Sequence, residues 1–152
     1  MARSKDPITA AITTYWKPLM REHGFRDYSI PAANLPGSRK RRHRGFGRVS
    51  GGCVLQIFDV VASVSVFSEG MGFHVRYACL LVTRLRDGDS STATRWLEAE
   101  GGIDTDWGAG THEQADASMR EARDRAIADA IPWLDATSTA AGLARELSAQ
   151  SL

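Results

Sequence analysis

Cys53-Val54-Leu55-Gln56-Ile57-Phe58-Asp59-Val60 decides the fold. In an extended chain successive side chains point to opposite faces. Cys53, Leu55 and Ile57 then share one face, and Val54, Phe58 and Val60 share the other. Apolar residues on both faces predict a central strand covered on both sides.

The neighbouring segments extend this into a sheet. Phe46–Val49 precedes it across Ser50-Gly51-Gly52, a hairpin-type break. Ala62–Phe67 alternates Val64 and Val66 against Ser63 and Ser65, as a new strand or as the last one continued past a bulge at Val60-Val61. Glu69-Gly70-Met71-Gly72 turns the chain into Phe73–Thr83, the longest strand. Phe73, Val75, Tyr77, Cys79 and Leu81 lie on one face of it. His74 and Arg76 open the other, ahead of Ala78, Leu80 and Val82. This predicts a strand exposed on one face at its start and buried at its end. Phe25–Ile30 is a short first strand, Thr94–Glu100 a helical turn or an edge strand, and Ile103–Trp107 a short last strand.

Helices flank the sheet. Asp6 is an N-cap with Pro7 at N1, and Ile8, Ala11, Ile12, Tyr15, Trp16 and Leu19 recur at helical spacing. Pro18 kinks this helix and Gly24 stops it after His23. Thr111 and Gln114 form a capping box for a second helix. Its stripe is Ala115, Met119, Ala122, Ala126, Ile127, Ala130, Ile131 and Leu134, and Pro132 ends or kinks it. Ala140, Leu143, Ala144 and Leu147 mark a final short helix.

The chain has 152 residues, a length that fits one domain over 1–152. Nineteen basic and 18 acidic residues, with 43% apolar, exclude a wholly disordered chain. No apolar run reaches the ~18 residues that span a bilayer, and no secretory h-region follows Met1–Pro7. A cytoplasmic protein without a membrane partner is expected. Cys53 and Cys79 have no CxxC spacing and are expected as buried free thiols.

Charge is unevenly spread. Residues 1–50 hold 11 Lys and Arg against 3 Asp and Glu, and residues 51–152 hold 8 against 15. Pro31–Arg44 is a long basic loop ending in Arg39-Lys40-Arg41-Arg42-His43-Arg44, with Arg48 beyond. Such a run suits phosphate backbones or an acidic partner. Five phosphate contacts on duplex DNA would give a log K against log salt slope of about −4.5. Stacking rings are scarce beside the run, with only Phe46 close.

Other chemistry is sparse. His23, His43, His74 and His112 lack metal-ligand spacing, and Asp104-x-Asp106-x-Gly108 has Ala115 where a calcium loop needs Glu. Gly45-Phe46-Gly47 fits no phosphate loop. No metal or cofactor is expected, and no catalytic constellation is visible. His74 and Arg76 alternate on one strand and point to one face. Trp96 and Trp107 flank a glycine-rich stretch and are candidate interface anchors.

Two segments carry a resemblance. Tyr15-Trp16-Lys17-Pro18-Leu19 with Gly24-Phe25, and Ile131-Pro132-Trp133-Leu134-Asp135, resemble the opening and the ending of a bacterial domain-of-unknown-function family, number four-three-zero-four. The resemblance implies an arrangement of elements over residues 8–150 and no activity.

The fold expected is α+β: an N-terminal helix, an antiparallel sheet of four to five strands, and two C-terminal helices packed on one face. The expected core is Ile12, Trp16, Leu19, Val54, Leu55, Ile57, Phe58, Val64, Val66, Val75, Tyr77, Cys79, Leu81, Met119, Ile127, Ile131 and Leu134. The function expected is non-enzymatic binding of another protein, or of a second copy, of a regulatory or immunity type. The surface would be the exposed sheet face and the Arg39–Arg48 loop, with Trp96, Trp107, His74 and Arg76. The alternative is nucleic-acid binding through Arg39, Lys40, Arg41, Arg42, Arg44 and Arg48, and a third reading is an enzyme centred on His74 and Arg76.

Overall fold

A computed structural model of the chain describes residues 7–28, 44–64, 71–81, 92–98 and 107–150. The fold is α+β, with an N-terminal helical segment, an antiparallel sheet and C-terminal helices. Residues 31–43 of the basic loop, Val66, and the proposed cap Asp6 lie outside the described residues, as does the side chain of Val64.

The N-terminal segment runs as α1 (Pro7–Ala11), a π-helical turn (Ile12–Trp16) and α2 (Lys17–Glu22). The Lys17 N–H donates to Ile12 O, one residue further back than in an α-helix. Pro18 explains the turn. Its ring would clash with the carbonyl four residues earlier, and one inserted residue relieves the clash without ending the helix. The same device recurs downstream. α3 (His112–Arg125) passes through a π turn (Ala126–Ala130) into α4 (Ile131–Ala136), with Pro132 in its first turn. α5 (Ala140–Gln150) closes the chain.

Both ends marked by local sequence are capped. Gly24 adopts φ +80°, the Gly24 N–H donates to Arg21 O, and the Phe25 N–H donates to Met20 O. These paired bonds form a Schellman stop. Thr111 Oγ1 accepts from the Gln114 N–H at 3.0 Å. The Gln114 side chain reaches the Gly110 N–H, one residue before the cap, in place of the cap's own.

The sheet order is β1 (Arg26–Tyr28), β2 (Arg44–Ser50), β3 (Val54–Val64), β4 (Met71–Leu81), β5 (Ala93–Trp96), and β6 (Trp107–Gly108) also pairs with β4. All pairings are antiparallel. Gly51 and Gly52, both at positive φ, turn β2 into β3, as a mirror-image hairpin turn requires. The register of β3 on β4 is unbroken from Val54 to Val64, so no bulge interrupts Val60-Val61. The segment around Thr94 is the edge strand.

One sheet face and the helices enclose the main core. Val54, Phe58, Val60, Phe73, Val75, Tyr77 and Cys79 meet Ile12, Trp16, Met119, Ala122, Ala126, Ala130 and Leu134 there. Each large apolar side chain buried in this way contributes roughly 1.5–3 kcal/mol. Trp16 packs on Phe58 with ring centroids 5.0 Å apart and donates its Nε1–H to Met119 Sδ. Leu55, Ile57 and Leu80 are buried too, in a separate cluster on the opposite face that no helix residue joins. Ile127 departs from the expected core and is 49% exposed. Ala126 and Ala130 take the inward positions of their turn, and one residue on, at about 100° per residue, the chain faces solvent.

Candidate interaction surface

The strand register decides which side chains share the face opposite the helices. Reading straight across the sheet, Val49, Leu55 and Leu80 form one row, and Gly47, Ile57, Ala78 and Thr94 the next. Gly45, Asp59, Arg76 and Trp96 form a third, followed by Val61 and His74. The apolar rows thus pass into a charged and aromatic one towards one end of the sheet.

Asp59 and Arg76 stand directly opposite on β3 and β4. Arg76 donates to Asp59 Oδ2 at 2.6 Å, and Asp59 is 3% exposed. Two charges of opposite sign at the centre of a sheet face cost desolvation that their attraction offsets only in good geometry. Trp96, one strand further, is 44% exposed and meets His74 edge to face at 5.0 Å. The expected sharing of a face by His74 and Arg76 is therefore present, and Trp96 joins them. Asp59 was not foreseen as part of this group, although an acid inside an apolar run was the signal.

Two expected site residues belong elsewhere. Trp107 is no surface anchor: it is 4% exposed and stacks on Phe73 at 5.6 Å, because its register on β4 turns the ring towards the helices. Arg48 is no free cation for a ligand. Its Nε donates to Gln56 Oε1 at 2.7 Å, Nη1 to His23 O at 2.8 Å and Nη2 to Asp135 Oδ1 at 3.2 Å. Its guanidinium also lies 4.6 Å from the Phe25 ring centroid. The even spacing from Phe46 places Arg48 on the helix side, where it ties β2 to the ends of α2 and α4. Of the remaining basic positions, Arg44 opens β2, and Arg39, Lys40, Arg41 and Arg42 lie outside the described residues.

A second polar group underlies β5 on the helix side. Arg95 pairs with Glu146 of α5 at 2.9 Å and lies 5.4 Å from the Trp133 ring centroid. Burial works against ionisation of Glu146. The nearby Trp133 indole, hydrogen bonds from Gln150 and Arg95, and the Arg95 charge outweigh it and hold the carboxyl below its ordinary range. Burial pushes the Tyr77 hydroxyl up, against the opposing charge of Arg95. Burial also pushes the Cys79 thiol up, partly opposed by a hydrogen bond with Thr137.

Among the described residues no three His, Cys, Asp or Glu side chains are grouped to hold a metal ion, and no helix is long and apolar enough to cross a membrane. The chain matches no family model, no curated protein and no solved structure.

Proposed function

We propose that the chain is a non-enzymatic binding domain that docks a protein at the end of the sheet marked by Trp96, since Leu55, Ile57, Ala78 and Leu80 further along the same face are already buried. The carrying observation is Trp96, 44% exposed on an edge strand beside His74 and the Asp59–Arg76 pair. A wide, rigid ring next to a fixed charge pair is the composition of an interface anchor. Aromatic and charged side chains held this way offer recognition chemistry and no activated nucleophile. The family resemblance carries no activity to the chain, so the reading stands on this surface.

The test replaces Trp96 with a photo-crosslinking phenylalanine analogue in cells expressing the chain. Ile127, exposed on the helix side, serves as control. A discrete protein adduct from position 96 alone is expected. No adduct, or the same smear from both positions, refutes the reading.

One observation favours a second reading, nucleic-acid binding. The basic run joins the sheet at Arg44, one residue before the row that ends in Trp96. The fold thereby brings an aromatic ring to the end of the sheet where the run arrives, which its sequence neighbourhood lacked. Anisotropy with labelled oligonucleotides tests it, and absence of binding at low salt ends it.

A further inference from the structure

We draw no further inference here: the strongest candidate, the apolar cluster of Leu55, Ile57 and Leu80 on the sheet face opposite the helices, carries nothing because nothing among the described residues shows what covers it.

Discussion

Gln56→Leu should be the most informative single change in the core. Gln56 is fully buried on β3, and its side chain joins three elements. Its Nε2 donates to Leu134 O at 2.5 Å and to Thr137 Oγ1 at 3.1 Å, while its Oε1 accepts from Arg48 Nε at 2.7 Å. Leucine fills a similar volume, so the change removes hydrogen bonds and opens little cavity. A bond to a charged donor contributes about 1.5–3 kcal/mol and each neutral one about 1 kcal/mol. Leu134 O retains the Thr137 hydroxyl at 3.3 Å, and the Arg48 Nε is left without its acceptor. Added apolar burial returns roughly 1 kcal/mol. The net loss is about 3 kcal/mol, or a fall in Tm of roughly 6–12 °C for a domain of this size. Urea unfolding followed by circular dichroism reads it. Combining Gln56→Leu with Arg48→Met removes both partners of the strongest bond, so the double variant should lose less than the sum of the singles. A loss under about 0.5 kcal/mol, the scale of an ordinary surface substitution, or strictly additive singles, would refute the view that this network joins sheet to helices.

Gly142→Ala should destabilise the chain by about 1–3 kcal/mol despite alanine's higher helix propensity, because the added methyl would run into the Ala136 carbonyl oxygen; a melt unchanged or raised contradicts the packing of α5. Glu146 has a depressed carboxyl, so its contribution is complete above the ordinary value of 4.5 and disappears as pH falls through the lower folded value. Glu146→Gln should therefore flatten the loss of urea midpoint between neutral pH and about pH 3, and parallel pH profiles for both proteins would show no such linkage. Cys79 is fully buried with a raised thiol, whereas Cys53 is half-buried. Iodoacetamide should modify Cys53 first and reach Cys79 only on unfolding, as read by peptide mass, and equal rates would contradict the burial.

Much of the architecture was legible because its signals are local. Gly24 and Thr111 mark helix ends through backbone needs of one or two residues, and both caps form. The alternation of Phe73, Val75, Tyr77, Cys79 and Leu81 against His74 and Arg76 follows from the two-residue repeat of a strand, and β4 keeps it. The glycine pair between Val49 and Val54 is likewise a turn by its own torsion angles. Ile127 misled because periodicity names a stripe but not how closely alanines let a helix approach.

The candidate surface was legible only in pieces. His74 and Arg76 could be placed on one face, since alternation within a strand is a property of the sequence. Their meeting with Asp59 and Trp96 depends on which residue stands opposite which across three strands, and pairing between strands is a tertiary choice. The same choice turned Trp107 inward onto Phe73. Arg48 belonged to the basic run by sequence distance. In the fold it sits among Gln56, Asp135 and the His23 carbonyl, groups 8 to 87 residues away, and there it holds the sheet to its helices. Sequence by itself determined the elements and their faces, because backbone conformation is set by near neighbours. Only the tertiary structure decided which charges are joined and which aromatic ring meets water, because both depend on contacts between distant parts of the chain.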